Sequence, residues 1–186
     1  GGGAANITIV ENGGQDKICY EFHQDGSQRK CLVIPDGAFR NPMTVEQIQN
    51  QIVRMPLTGV VMDGSTVFNF AQKEVPILVD SLTKMAETTK EDIDWFLFHQ
   101  PNKFMLQKLA ERIGVPFEKM PMDIVEKFGN SNSATIPTAI TADLKEEMLN
   151  KESLCCLAGF GAGVAWAGII MKMGNMDFCD TIISDL

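Results

Sequence analysis

A short apolar run, residues 93–98, constrains the fold of this chain more than any other feature. Its length and its aromatic content favour a strand buried on both faces of a sheet rather than a helix. His99 follows the run directly, and Pro101 prevents a simple continuation of the strand ladder. A histidine at the carboxyl end of a buried strand lies where open α/β sheets place their chemistry. His99 is therefore a candidate functional residue, with a hydrogen-bonded structural histidine as the alternative.

The residues after this strand predict a helix. Asn102 occupies the N-cap position of a segment, 103–113, whose apolar residues recur at helical spacing. Gly114 then ends the element, as glycine commonly does at helix C-termini. Strand followed by helix indicates the α/β class.

The rest of the chain predicts further helices and strands. A hairpin is expected from two extended runs, 18–23 and 30–34, joined at Asp25-Gly26. Residues 4–10 also have the pattern of a strand. Helices are expected over 65–87, 123–128 and 136–148, and a strand–glycine turn–strand unit over 153–171.

Composition limits the classes of function. With 186 residues the chain is expected to form one domain with a real core. A net charge of −8 and the lack of a basic cluster argue against nucleic-acid binding. No apolar run reaches the roughly 20 residues that span a bilayer, and no secretory signal is present at the start. We therefore expect no membrane partner.

The five cysteines indicate a compartment rather than a metal. They lack CxxC spacing, and the chain has two histidines, so no metal site is expected. Cys155 and Cys156 lie within an apolar run, which is typical of buried thiols in a reducing cytoplasm. We expect a cytoplasmic protein.

Two loops offer hydrogen-bond donors besides His99. The glycine turn, residues 159–163, is not followed by the helix that a dinucleotide fingerprint requires. It could instead form an oxyanion site or simply a tight hairpin. Asn130 lies in a second small, polar loop and is either a turn residue or a donor. An imidazole, a carboxamide and backbone amides could together stabilise charge developing on a carbonyl oxygen. No activated nucleophile is recognisable.

Three segments in this order resemble the β-ketoacyl-[acyl-carrier-protein] synthase III family. They are Phe98-His99-Gln100-Pro101-Asn102, residues 128–137 and residues 159–163 with Trp166. The resemblance implies the thiolase fold, an α/β half with a mixed five-stranded sheet and helices on both faces. It covers residues 1–173, with 174–186 as a C-terminal extension. It also implies that this chain is the C-terminal half of the enzyme.

The resemblance implies roles for the donors. His99 and Asn130 match two members of a catalytic triad whose third member is a cysteine in the N-terminal half. They would donate to the thioester carbonyl of malonyl-carrier protein as it loses carbon dioxide, and the enolate would attack an acyl-cysteine. The backbone N–H of Ala162 would contribute to the oxyanion hole.

The resemblance also implies binding residues and partners. Gly64, Phe68, Asn102 and Phe160 match positions that line the pantetheine tunnel. Carrier docking would use Lys103, Lys108 and Arg112, although Phe104 and Glu111 depart from the family's basic pattern. The partner would be acyl carrier protein or a coenzyme A thioester, with no cofactor beyond the substrate's phosphopantetheine. The full-length protein would be a homodimer.

These features predict that the chain alone is inactive, because it lacks the nucleophile. The competing hypothesis is a non-catalytic thiolase-like subunit that binds a partner chain or a pantetheine group.

Overall fold

The structure, a computed structural model, describes residues 3–10, 14, 16–35, 39, 42–46, 48–49 and 60–183. Within these residues, none of the helices has the length and apolar character needed to cross a bilayer.

The described chain contains both strands and helices. In order, the elements are β1 (Cys19–Gln24), β2 (Leu32–Val33), β3 (Val61–Met62), α1 (Gly64–Met85), β4 (Trp95–Phe98), α2 (Lys103–Ile113), α3 (Ile124–Phe128), α4 (Thr135–Asp143), α5 (Lys145–Asn150), β5 (Glu152–Gly161) and β6 (Ala165–Gly174). Short 3₁₀ turns occupy Gly26–Gln28, Phe117–Lys119 and Asn132–Ala134.

The main sheet is mixed, with strand order β1-β6-β5-β4. β4 and β5 are parallel, whereas β5–β6 and β6–β1 are antiparallel. The described residues contribute four strands to this sheet, whereas the resemblance implied five. Residues 4–10, predicted as a strand, have no regular hydrogen-bonded structure and are exposed.

The predicted hairpin over residues 18–34 is wrong. β1 pairs with β6, and β2 pairs with β3 in a separate two-stranded sheet. The backbone of Asp25 exchanges hydrogen bonds with that of Val164, at 2.8 and 3.1 Å, which extends the β1–β6 pairing. The Asp25 side chain accepts a hydrogen bond from the Ser27 N–H and starts a 3₁₀ turn. The Asp-Gly signal therefore marks the exit of a strand rather than a tight hairpin.

Helices cover both faces of the sheet, as expected. Because side chains alternate along a strand, Phe96 and Phe98 face one helix layer while Leu97 faces the other. The first layer, α1 and α2, contributes among others Leu78, Leu82, Leu106 and Leu109 to a large buried cluster. The second layer consists of α4 and α5 with Leu144 between them, and it contributes Ile140, Leu144 and Met148 to a smaller cluster.

The predicted ends of α2 are confirmed. The Asn102 Oδ1 accepts a hydrogen bond from the Met105 N–H at 2.8 Å, and Gly114 adopts φ +82°. The predicted helix over 136–148 is instead two helices, because Leu144 leaves the helical region at φ −119° and ψ 19°. Its apolar residues nevertheless pack on the same side of the sheet.

Residues 175–183 pack against the second helix layer. The Cys179 side chain is buried in the smaller cluster, and the Met176 N–H donates to the Met148 carbonyl at 2.9 Å. Lys145 and Asp180 form an exposed ion pair.

Part of the second face is uncovered in the described structure. On β1, the Tyr20 and Phe22 side chains point away from α1 and are exposed at 57% and 74%. They lie beside β6, on the face that α4 and α5 cover over β4, β5 and the Met173 end of β6.

Candidate active site

The parallel pairing of β4 with β5 defines the location of the candidate site. Both strands end at the same edge of the sheet, with Phe98 opposite Ala158. The His99 N–H donates to the Ala158 carbonyl at 2.8 Å, which extends the ladder by one residue. His99 and the turn after Gly161 therefore emerge on the same side of the molecule.

The His99 ring is fixed from two directions. Its Nδ1 lies 2.8 Å from the Thr135 Oγ1, and the Phe160 ring contacts it edge-on, with centroids 5.6 Å apart. Burial lowers the pKa of His99, and the Asn132 carbonyl offsets part of that effect by raising the pKa. The neutral imidazole is thus favoured near neutral pH.

Asn130 is oriented by its own loop. Its Oδ1 accepts a hydrogen bond from the Asn132 N–H at 2.9 Å. Because the oxygen of the carboxamide is used in this way, its NH₂ group is left to donate elsewhere. Gly129 at φ +71° and Asn132 at φ +55° give the loop its sharp course.

Asn132 links the two predicted catalytic residues. Its N–H binds the Asn130 side chain, and its carbonyl accepts from the Thr135 hydroxyl that contacts His99. The structure therefore brings His99 and Asn130 into one hydrogen-bonded network of protein groups.

Two polar residues in this network, Gln100 and Thr135, lie within motifs of the sequence analysis but had no role predicted for them. Both are fully buried. The Gln100 Nε2 donates to the Phe98 and Pro121 carbonyls at 3.1 and 2.8 Å, which ties the loop after β4 to the segment before α3. Gln100 stands beside His99 in the sequence, and Thr135 begins α4, yet neither position by itself marks a site.

The turn containing Ala162 lies between β5 and β6, and Ala162 is exposed. In the described residues its N–H has no backbone partner. The turn therefore leaves a donor available at the edge where His99 emerges.

The predicted pantetheine residues occupy several environments. Phe160 is buried against His99. Phe68 is half-buried and stacks on Phe104 with centroids 5.9 Å apart. Gly64 is the exposed first residue of α1, and the Asn102 side chain is engaged as the cap of α2.

The predicted docking cations are mostly paired within the chain. Lys103 lies 2.7 Å from Asp123, and Lys108 lies 2.7 Å from Glu111. Arg112 lines a surface depression with Phe68 and Lys108. These ion pairs are exposed, so little free energy is needed to exchange them for a partner's charges.

The described cysteines lie in buried environments, which disfavour a thiolate. All five are buried, and burial raises the pKa of Cys155 and of Cys156 to about 12. A raised pKa reduces the fraction of thiolate, which is the nucleophilic form of cysteine.

A groove of about 570 Å³ opens where β1 and β5 end and β6 begins. It is lined by Phe22, His23, Gln24, Gly159, Phe160, Ala165, Trp166 and Ala167. Phe160 belongs both to this groove and to the surroundings of His99.

The mixed sheet, the two helix layers and these donors at the strand ends define a thiolase-like half. Residues 83–173 match the family described as 3-oxoacyl-[acyl-carrier-protein (ACP)] synthase III C terminal. A structure of 3-oxoacyl-(acyl-carrier protein) synthase from Burkholderia xenovorans is similar, with a TM-score of 0.78 and 33% identity over 89% of this chain and 46% of that one.

Curated relatives show the same similarity. The beta-ketoacyl-[acyl-carrier-protein] synthase III of Synechocystis is 31% identical over 92% of this chain, and that of Natranaerobius thermophilus is 32% identical over 92%. The chain spans about half, 51%, of the length of each. The chain is therefore similar to the C-terminal half of β-ketoacyl-[acyl-carrier-protein] synthase III proteins.

Proposed function

We propose that this chain forms the C-terminal half of a condensing enzyme of the synthase III type. The reaction is a decarboxylative Claisen condensation, in which malonyl-carrier protein loses carbon dioxide and its enolate attacks an acyl-enzyme thioester. The observation that carries the proposal is the single network that links His99, through Thr135 and Asn132, to Asn130.

His99 and Asn130 act as donors to the thioester carbonyl oxygen. Decarboxylation pushes negative charge onto that oxygen, and preorganised donors stabilise the charge as it forms. The lowered pKa of His99 keeps the imidazole neutral, so it donates from one nitrogen without holding a full positive charge beside the substrate. The Asn130 carboxamide is neutral at every pH.

The nucleophile comes from outside this chain. A cysteine at a helix N-terminus in the other half takes the acyl group, and the helix dipole lowers its pKa. The Ala162 N–H stabilises the tetrahedral oxyanion formed when the enolate attacks that thioester. The chain alone therefore has no condensing activity.

The other half packs against the uncovered face of β1 and β6. Exposed Tyr20 and Phe22 make this face apolar, and an apolar face of this kind marks an interface. The assembled protein is a cytoplasmic homodimer that acts in fatty-acid or related synthesis.

The substrate arm enters beside α1 and α2. Gly64, Phe68, Asn102 and Phe160 line the path of the phosphopantetheine arm. Lys103, Lys108 and Arg112 meet an acidic carrier protein after exchanging their internal partners. The substrate's own pantetheine serves as the carrier group, so no further cofactor takes part.

A comparison of the full-length protein with the isolated chain tests this proposal. We expect the full-length protein to release carbon dioxide from malonyl-carrier protein and to form a 3-oxoacyl product with an acyl thioester. The isolated chain should do neither until the complementary half is added. Binding of coenzyme A by the full-length protein, without decarboxylation or condensation, would instead support a non-catalytic thiolase-like subunit.

A further inference from the structure

The Thr135 hydroxyl is surrounded by three polar groups. Its oxygen lies 2.8 Å from the His99 Nδ1, 2.8 Å from the Asn132 carbonyl oxygen and 3.2 Å from the Gln100 nitrogen. The Thr135 side chain is fully buried, so bulk water does not compete for these contacts. Each of the three groups therefore constrains where the single hydroxyl proton points.

Two arrangements of the Thr135 hydroxyl proton and the His99 ring proton are compatible with these contacts. The Gln100 N–H only donates and the Asn132 carbonyl only accepts, whereas a neutral imidazole nitrogen does either. If the hydroxyl donates to Asn132, Nδ1 must carry the ring proton and donate to the hydroxyl. If the hydroxyl donates to Nδ1, the ring proton must be on Nε2.

The two arrangements differ in what His99 offers to a substrate. In the first, Nε2 has a lone pair and cannot donate to a carbonyl oxygen. In the second, Nε2 carries hydrogen and donates. The role proposed for His99 requires the second, because a neutral imidazole donates from one nitrogen only.

We propose that the Thr135 hydroxyl selects the tautomer of His99 and switches it when substrate binds. This inference rests on the proposed function of His99. Thr135 is a positioning residue, since it acts on the substrate through the imidazole. The free site holds the first arrangement and the substrate-bound site holds the second.

The hydrogen bonds made in the free site and in the substrate-bound site support this assignment. The first arrangement satisfies the hydroxyl, Nδ1 and the Asn132 carbonyl without any ligand. The second arrangement removes the hydrogen bond from the Thr135 hydroxyl to the Asn132 carbonyl. A new hydrogen bond from the His99 Nε2 to a substrate oxygen compensates for that loss. The ring proton moves from Nδ1 to Nε2 by exchange with water, so the site neither gains nor loses a proton.

The groups that contact the ring favour a tautomer switch over a change of charge. In the described part of this chain they are the Thr135 hydroxyl, the Asn132 carbonyl and the apolar Phe160 ring, and none of these three titrates. Burial lowers the pKa of His99, with a smaller opposing effect from the Asn132 carbonyl. The ring therefore remains neutral near neutral pH in both arrangements.

Imidazole ¹⁵N chemical shifts test the proposal because they report which ring nitrogen is protonated. The full-length protein, labelled with ¹⁵N-histidine, is measured with and without a malonyl-coenzyme A analogue that carries a sulfonate in place of the carboxylate. His99→Gln assigns the signals. We expect the wild-type protein and Thr135→Ser to carry the proton on Nδ1 when free and on Nε2 with the analogue.

Thr135→Val keeps the shape of the side chain and removes the hydroxyl. Its His99 Nδ1 should donate to the Asn132 carbonyl, which holds the proton on Nδ1 in both states. Malonyl decarboxylation should then fall about 100-fold near pH 8, as for the loss of one oxyanion donor. Acidification should restore part of it, because a protonated imidazole donates from both nitrogens. A merely structural role for Thr135 would not produce this pH dependence.

Either of two results overturns the proposal: a wild-type ring proton on Nδ1 with the analogue bound, or Thr135→Val with the proton on Nε2. If Thr135→Val does not fold, the smaller Thr135→Ala carries the same expectations, and the wild-type measurement still decides. A tautomer switch in a protein that cannot decarboxylate malonyl thioesters would reject the proposed function alone. Decarboxylation without a switch would reject this inference alone.

Discussion

The Nδ1 of His99 lies 2.8 Å from the hydroxyl oxygen of Thr135, which is the first residue of a helix that begins 36 positions later in the chain. This contact joins the end of a buried strand to the start of α4. It fixes one ring nitrogen and leaves the other, Nε2, as the atom that can meet a substrate. The chemistry proposed for the site requires Nδ1 to contact Thr135 and Nε2 to contact the substrate.

The first prediction concerns His99. In the full-length protein, His99→Ala should lower malonyl decarboxylation about 100-fold or more, because one preorganised donor is lost. Acylation of the nucleophilic cysteine should be little changed, since the role proposed for His99 is at the malonyl carbonyl. Carbon dioxide release and mass spectrometry of the acyl-enzyme measure the two steps separately.

His23→Ala is the matched control, because the His23 side chain is 43% exposed and contacts Trp166 and Glu21 rather than His99. It should retain decarboxylation within a few-fold. Equal loss of acylation and decarboxylation in His99→Ala would contradict the assigned role.

The second prediction separates the Asn130 side chain from its loop. Asn130→Asp keeps an oxygen that can accept from the Asn132 N–H, but it replaces the donor with a negative charge. We expect decarboxylation to fall about 100-fold or more, since the charge opposes the developing oxyanion. Initial rates of carbon dioxide release at saturating substrate provide the measurement.

Asn132→Gly is the control for that loop. Asn132 contributes its backbone N–H and carbonyl to the network, and its φ of +55° suits glycine. It should therefore retain most of the activity. An Asn130→Asp enzyme as active as this control would rule out a donor role for Asn130.

The third prediction concerns the packing of α1 on the sheet. A Cβ added at Gly168 would lie 2.6 Å from the Leu82 Cδ1 and 3.0 Å from the Leu78 Cδ2. Gly168→Ala should therefore lower the free energy of unfolding by about 1–3 kcal/mol, as expected of overpacking. Urea denaturation of the full-length protein measures this change.

Gly159→Ala on the adjacent strand serves as the comparison, because a Cβ there meets no atom within 4 Å. It should leave the unfolding midpoint nearly unchanged. Equal effects from the two substitutions would mean that α1 does not approach Gly168 as closely as described.

The fourth prediction concerns Cys155 and Cys156, whose pKa values burial raises to about 12. Iodoacetamide at about pH 8 should leave both unmodified in the folded protein, because the thiolate is the reactive form. Both should become modified after unfolding, as read by peptide mass spectrometry. Rapid labelling of either residue in the folded state would contradict this prediction and indicate a reactive thiol within this chain.

Local sequence signals predicted the elements around the site well. β4 and α2 follow from an apolar run, a capping asparagine and a terminal glycine, all of which act over a few residues. The motifs around His99, Asn130 and the glycine turn led to the family. The hairpin over residues 18–34 failed because Asp25-Gly26 is equally suited to a strand exit, and the true partner of β1 is more than 140 residues away.

The supporting residues of the site were harder to predict. Thr135 and Gln100 are ordinary polar residues in the sequence, and their burial becomes evident only when α4 packs against the end of β4. The break of the predicted helix at Leu144 is likewise a tertiary feature, because the spacing of its apolar residues remains helical across it.

In the proposed mechanism, His99 and Asn130 donate to the same substrate oxygen. A crystal structure of the full-length protein with the sulfonate analogue of malonyl-coenzyme A tests it most directly. We expect the His99 Nε2 and the Asn130 Nδ2 each to lie within about 3.2 Å of the thioester carbonyl oxygen. A bound analogue whose carbonyl contacts neither side chain, with the two groups directed into separate cavities, would contradict the proposed roles of His99 and Asn130.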